Sequence, residues 1–283
     1  MKMQLQPSRK DVFMSAPDPV AFTIFNIDIM WYAILITGGI LLGVLICCKR
    51  APKHDLTGDQ ILNFTIISVP AAIIGARLYY VAFNWSDYSG DLLKILNTRA
   101  GGLAIHGGLI FGFAAAAILC ILWKVRPLNL LDLVVPCVAL AQSIGRWGNF
   151  FNSEAHGGPT DLPWAIIVNG QSVHPTFLYE SIWCFLLFLF LIYMDNRRRF
   201  EGQTFLLYCG LYSVERFFVE GLRTDSLMIG PFRQAQVLSL SIIIVCVIAY
   251  VILYKRNKTK GNAAKEERKT EKTDTHEKIK GEH

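Results

Sequence analysis

The amino-acid sequence predicts an all-α polytopic membrane protein with seven transmembrane helices and a small extracytoplasmic head. Three observations predict it. Hydrophobic residues fill 53% of 283 positions and charged residues only 18%, below the ~25% of an ordinary soluble domain. Residues 31–48 and 235–254 contain no charged side chain, and about 18 or more such residues cross a hydrocarbon core of about 30 Å as a helix. Basic residues also collect in alternate connections, as expected of a chain that weaves through a bilayer.

Seven apolar segments follow one another at 31–48, 62–83, 103–123, 131–145, 176–194, 203–219 and 235–254. Residues 1–30 are a lead-in, amphipathic at most. Pro17, Asp18, Pro19 and Asp28 interrupt its apolar residues, so no secretory cleavage pattern is expected and the first helix should stay as an anchor. The connection 84–102 holds the amphipathic run Asp91-Leu92-Leu93-Lys94-Ile95-Leu96, suited to a short helix lying in the interface. The connection 146–175 holds Gly157, Gly158, Pro159 and Pro163, then the strand-like run Trp164-Ala165-Ile166-Ile167-Val168 and the turn Asn169-Gly170. That pattern predicts a cap with a hairpin. No internal repeat is visible, which argues against an inverted-repeat transporter.

Charge sets the orientation. With the C-terminus inside, the short inside loops carry Lys49, Arg50, Lys53, Lys124, Arg126, Arg197, Arg198 and Arg199, against Lys94, Arg99 and Arg233 outside. Seven crossings then put the N-terminus outside, with Lys2, Arg9 and Lys10. The net charge is +6, and residues 255–283 hold ten basic and six acidic residues without an aromatic. We expect 1–254 to be the integral-membrane domain and 255–283 a disordered cytoplasmic tail. A basic tail beside a membrane helix is explained by topology, so no nucleic-acid partner is expected. The seven cysteines form no Cys-x-x-Cys pair and no zinc-like spacing. They read as small packing residues, and neither metal nor cofactor is expected.

Chemistry is sought among ionisable residues at membrane depth, each costing about 2.5–3.5 kcal/mol at a helix centre unless partnered. They are Arg77, His106, Asp132, Arg146, Glu154, Glu180, Glu215, Arg216, Glu220 and Arg223. Tyr212, Arg216, Glu220 and Arg223 recur at helical spacing and share one face. They read either as a self-neutralised packing stripe or, with two arginines against one glutamate, as an anion site. The run Gly145-Arg146-Trp147-Gly148-Asn149-Phe150-Phe151-Asn152-Ser153-Glu154 follows an apolar helix. It is either a helix-capping loop or a phosphate-binding one, with Arg supplying a planar fork and Asn amide donors. His106 stands among Gly101, Gly102, Gly107 and Gly108, as a packing group or as a base titrating near neutrality. His174, before Pro175, reads as a loop residue opening a helix.

These strings resemble one bacterial family. His106-Gly107-Gly108-Leu109, the Gly145-to-Glu154 run with Gly157 after it, His174-Pro175 with Leu178-Tyr179-Glu180, and Tyr212 through Arg223 are similar to the phosphatidylglycerol–prolipoprotein diacylglyceryl transferases. The motifs come in the family's order across 31–240. The resemblance implies an enzyme of the bacterial cytoplasmic membrane with seven helices, an outside N-terminus and an extracytoplasmic head. It implies transfer of diacylglycerol from phosphatidylglycerol to the lipobox cysteine of a prolipoprotein, with release of glycerol phosphate. Carried over by position, it implies His106, Arg146 and Arg223 as catalytic residues. Tyr32, Asn149, Glu154, Gly157, Tyr212, Arg216 and Glu220 would bind substrate. Met30, before Trp31, departs from the basic residue often found there, and Trp147 from an aliphatic one. Two other classes fit a membrane protein with buried Arg and Glu: a lipid transporter or flippase, which would not need the signature run, and an acyltransferase using its own cysteine.

Overall fold

The structure is a computed structural model that describes residues 14–15, 18–98, 101–224 and 226–281, with side chains from 18 to 259. Lys2, Arg9, Lys10, Pro17 and Arg99 lie outside the described residues. The helices are α1 (Trp31–Arg50), α2 (Gly58–Phe83), α3 (Trp85–Tyr88), α4 (Leu92–Leu96), α5 (Ile105–Leu122), α6 (Pro127–Phe151), α7 (Thr176–Asp195), α8 (Gln203–Leu222) and α9 (Gln234–Gly281). Each of the seven apolar segments corresponds to one long helix. Among the described residues, six helices are both long and apolar enough to cross a membrane: α1 with the turn that extends it to His54, α2, α5, α6, α7 and the part of α9 at Gln234–Thr259. Helix α8 has the length, but Glu215, Arg216 and Glu220 make it more polar. Large apolar side chains such as Leu45, Ile66 and Ile121 stand exposed along these helices. In water that surface would drive association, whereas hydrocarbon matches it. The chain is a polytopic helical membrane protein.

Short strands occupy the connections: β1 (Met14–Ser15), β2 (Val20–Ile24), β3 (Ile27–Met30), β4 (Ile166–Val168), β5 (Gln171–Val173), β6 (Met228–Ile229) and β7 (Phe232–Arg233). The expected hairpin is β4–β5, and β1 runs parallel to β4. Its turn residues Asn169 and Gly170 both have positive φ, the conformation a two-residue hairpin turn demands. The expected interfacial helix is α4, started by the Asp91 side chain accepting the Lys94 N–H.

Two expectations need correction. The lead-in contains an antiparallel hairpin, β2–β3, turning at Phe25 and Asn26. Helix α6 runs six residues past 145, so Arg146, Trp147, Gly148 and Asn149 belong to its last turns rather than to a loop. The connection to α7 accordingly begins at 152. Helix α9 continues to Gly281, along the tail. Lys, Glu, Arg and Ala dominate that stretch. They are good helix formers, and extending an existing helix avoids the nucleation cost.

The chain divides into two units, one of Ile40–Val138 and one of the residues before and after it. In the Ile40–Val138 unit, α2 and α5 pack through small residues. A Cβ added at Gly107 would lie 2.3 Å from the Gly75 carbonyl oxygen, and one at Gly75 would lie 2.3 Å from Phe111 Cβ. Such close backbone approach holds helices together where lipid is as apolar as leucine. Cys47, Ala51, Ile61, Phe64, Leu119 and Leu133 form a second contact region. Arg77, on α2 and 5% exposed, donates to the carbonyls of Lys94, Ile95, Asn97, Gly101 and Gly102 at 2.7–2.8 Å. A guanidinium has five N–H groups, and all five are used.

In the other unit, α7, α8 and α9 pack in sequence. Ala139, Leu187 and Leu191 form a core with Leu207, Tyr208, Leu211 and Tyr212. Ser143 and Ser181 exchange hydrogen bonds between α6 and α7, and Trp147 Nε1 donates to Ser181 Oγ at 3.1 Å. Phe150, Ile166, Val168, Val173 and Phe177 form a third core beneath the β4–β5 hairpin.

Candidate functional site

Helix α8 presents Tyr208, Tyr212, Arg216 and Glu220 at four-residue intervals, one above the other on one face. The opposing residues come from α6 and α7. Tyr208 donates to Gln142 Oε1 at 2.9 Å, and its ring stacks on Tyr212 at 5.8 Å. Four residues past Gln142, Arg146 donates through Nη2 to the Tyr212 hydroxyl at 3.2 Å. Arg146 Nη1 lies 3.1 Å from Glu180 Oε2. The other Glu180 oxygen accepts from Arg216 Nη1 at 3.2 Å, and Arg216 Nη2 donates to Glu220 Oε2 at 2.6 Å.

The result is an alternating chain, Arg146–Glu180–Arg216–Glu220, drawn from three helices. Its carboxylates are buried, with side-chain exposures of 1% for Glu180 and 4% for Glu220. Its guanidiniums keep 19% and 24% for Arg146 and Arg216. In a low-dielectric setting two charges of each sign offset one another's desolvation only if they stay paired. The cations therefore face outward while the anions hold them from behind. Arg233 adds a hydrogen bond from Nη1 to the Glu220 carbonyl.

This chain revises the balance read from sequence. Two arginines against one glutamate on α8 suggested surplus positive charge. Glu180, from α7, takes up part of it. Sequence places Glu180 among the ionisable residues and in the Leu178-Tyr179-Glu180 string of the resemblance, but gives it no role. Its signal was its isolation, the one charged residue in 176–194. Glu215 is a second unassigned acid: it is 4% exposed, and neither carboxylate oxygen has a hydrogen-bond partner.

The signature run ends in a separate polar cluster. Asn149 and Asn152 both donate to Glu154 Oε1, at 3.0 and 3.3 Å, and the Glu154 N–H returns to the Asn149 carbonyl at 3.0 Å. Three of the run's polar residues thus organise the turn out of α6. Gly157 threads between two segments. It donates to the His174 carbonyl at 3.0 Å and pairs as an antiparallel bridge with Arg223, while Gly158 donates to the Leu222 carbonyl at 2.9 Å. A Cβ at Gly157 would meet His174 Cβ at 2.6 Å, which is why the position is glycine. The bridge fixes the backbone of Arg223 just past the end of α8. His174 does open α7, and it also forms the far wall of this bridge.

Tyr32, in the first turn of α1, packs across Gly148, where an added Cβ would lie 2.4 Å from its ring. Trp31 stacks on Phe151 at 5.2 Å. The structure therefore gathers Arg146, Tyr212, Arg216 and Glu220 around Glu180, joins Asn149 to Glu154 and Gly157 to Arg223, and sets Tyr32 on α6. His106 belongs to the Ile40–Val138 unit. It is exposed in the first turn of α5, its ring 6.1 Å from that of Tyr79. Among the described residues no cluster of three or more His, Cys, Asp or Glu could hold a metal ion.

Comparison with known proteins joins these features. Residues 19–252 match the family model described as prolipoprotein diacylglyceryl transferase. A relative from Clostridioides difficile, named phosphatidylglycerol–prolipoprotein diacylglyceryl transferase, is 54% identical over 85% of this chain and 97% of its own length. A relative of the same name from Finegoldia magna is 51% identical over 84% of this chain and 96% of its own. A third, from Clostridium botulinum, is 44% identical over 85% and 99%. With the match running from before α1 to the apolar part of α9, the chain belongs to the prolipoprotein diacylglyceryl transferase family.

Proposed function

We propose that this chain transfers the diacylglyceryl group of phosphatidylglycerol to the lipobox cysteine of bacterial prolipoproteins. The observation that carries the proposal is the buried chain Arg146–Glu180–Arg216–Glu220 in a membrane protein of this family. It is a pre-oriented pair of guanidiniums at membrane depth, suited to a lipid phosphate. Each guanidinium spends two of its nitrogens on protein partners and keeps further N–H groups for phosphate oxygens.

In the reaction the cysteine sulfur of the client attacks the glycerol carbon that carries the phosphate. A C–S bond forms, the C–O bond to phosphorus breaks, and glycerol phosphate leaves with the electron pair. The thiol has an ordinary pKa near ~8.5 and must lose its proton. His106 is the proposed acceptor, exposed at the start of α5. Negative charge grows on the departing phosphate, and donors fixed in advance stabilise it without reorganising. Arg146 supplies that stabilisation with Arg223, whose backbone the Gly157 bridge fixes, and Arg216, oriented by the same Glu180, adds its remaining N–H groups. Tyr212 and Glu220 hold the guanidiniums. Tyr32, Asn149, Glu154 and Gly157 shape the wall against which the lipid lies. The seven cysteines of this chain take no part.

The proposal includes seven crossings, with α8 as the sixth, kept in the membrane by the pairing of its charges. It places the N-terminus and the connection from 152 to 175 outside, the latter as a small head, and the C-terminal tail inside. The enzyme then works in the bacterial cytoplasmic membrane without nucleic acid or cofactor. The test is to mix the purified protein with phosphatidylglycerol and a lipobox peptide and to weigh the peptide. A gain of one diacylglyceryl unit on the cysteine supports the proposal. A single acyl group on the peptide, or no change in its mass, would overturn it.

A further inference from the structure

An arginine-lined cavity lies at the opposite end of α7 and α8 from the arginine–glutamate chain. The connection between those helices and the end of the apolar part of α9 border an open cavity of about 560 Å³, lined by Arg198, Arg199, Phe200, Glu201, Arg256 and Asn257, with Leu253. Three arginines line it against one glutamate. Its walls are tied together. Asn257 Nδ2 donates to the Arg199 carbonyl at 2.7 Å, and Arg199 Nη1 donates to the Tyr254 hydroxyl at 2.9 Å. The Arg199 N–H is held by Gln203 Oε1 at 2.7 Å, and the Phe200 ring packs on Tyr250 at 5.3 Å.

The level of the cavity selects its ligand. The uncharged run of α9 ends at Tyr254, and Lys255 and Arg256 follow. Tyr250 and Tyr254 lie against Phe200 and Arg199 of the cavity, where an aromatic belt marks the boundary between hydrocarbon and headgroups. Below the guanidiniums, α9 exposes Ile244, Ile248, Val251 and Ile252. A soluble anion would use only the charged half of this arrangement. An anionic phospholipid uses both halves, its phosphate against the arginines and its acyl chains along α9. We propose that the cavity binds an anionic phospholipid of the leaflet on the tail side, separately from the donor lipid consumed in the reaction. Basic pockets between helices at this depth suit such headgroups, and arginine forks suit phosphate.

The test uses the full-length protein in phosphatidylcholine nanodiscs containing a phosphatidylserine probe that carries a photoreactive group beside its phosphate. Cross-linked residues are mapped by mass spectrometry. We expect labelling within 198–201 and 253–257 that excess phosphatidylserine competes away, and that neither phosphatidylcholine nor millimolar inorganic phosphate reduces. The double variant Arg199→Gln/Arg256→Gln should lose labelling there by about tenfold or more. It should still transfer diacylglycerol, since neither residue belongs to the proposed catalytic site. Competition by inorganic phosphate alone would make this a soluble-anion site and overturn the proposal. So would equal labelling from a choline-headgroup probe, or full labelling in an active double variant. Where the double variant fails to fold, the wild-type competition decides. Transfer activity is read separately, so failure here and failure of the transferase reading are distinguishable.

Discussion

Arg77 and the pair Arg146 and Arg216 solve the same problem in opposite ways. All three place a guanidinium among apolar helices. Arg77 is satisfied by backbone: five carbonyls of the segment 94–102 take its five N–H groups, and its residue exposure is 5%. Arg146 and Arg216 are held by side chains, share one carboxylate, and keep about a fifth to a quarter of their surface open. A saturated guanidinium is a structural pin. A guanidinium oriented from behind and open in front is prepared for a ligand. Position in a membrane helix does not separate the two classes, whereas the identity of the acceptors does.

The comparison is first broken by removing what holds each guanidinium. Glu180→Ala leaves Arg146 and Arg216 without their shared anion. Breaking a buried ion pair by losing one partner costs about 3–5 kcal/mol, so thermal unfolding in detergent should shift down by many degrees, and transfer should fall with it. An unchanged melting temperature would mean that the chain of charges is not what holds α6, α7 and α8 together.

Arg77→Lys should come next. Lysine offers three donors for five acceptors, and charge-assisted hydrogen bonds contribute about 1.5–3 kcal/mol each. Two donors are lost, so at the lower end of that range we expect a loss of about 3 kcal/mol, with faster proteolysis or hydrogen exchange within 91–102. Transfer per folded molecule should stay close to wild type. If activity fell while stability held, Arg77 would have to be moved to the catalytic class.

The smallest of the three is Gly107→Ala. Its Cβ would lie 2.3 Å from a backbone oxygen of α2, so the two helices must separate. Overpacking of this kind costs about 1–3 kcal/mol. Gly38, with nothing near an added Cβ, is the control: Gly38→Ala should be neutral or slightly stabilising, because alanine is the better helix former. Equal effects at the two positions would contradict the close packing of α2 and α5.

Sequence made the long helices legible because hydropathy acts over some twenty residues and tolerates local errors. It misjudged the end of α6 because Arg146 and Asn149 are polar and look like loop, although their partners lie on α7, on α8 and in the turn that follows. It missed the β2–β3 hairpin because the turn carries Phe25 at φ 48 beside Asn26 at φ 59, with no glycine to mark it. The α8 stripe was visible from its four-residue spacing. The role of Glu180 was not, since a lone acid in an apolar helix acquires meaning only when the fold sets two arginines against it.

The central claim is that the guanidiniums held by Glu180 act on the lipid phosphate while Arg77 does not. The most direct measurement is the initial rate of diacylglyceryl transfer to a lipobox peptide, per folded molecule, in Arg146→Lys, Arg216→Lys and Arg77→Lys prepared side by side. Lysine keeps the charge and loses the fork, and losing one well-aimed donor to a developing anion costs about a hundredfold to a thousandfold in rate. The account predicts losses of that order in Arg146→Lys and Arg216→Lys and a near wild-type rate in Arg77→Lys. Near wild-type rates in both of the first two variants, or an equal loss in all three, would contradict it.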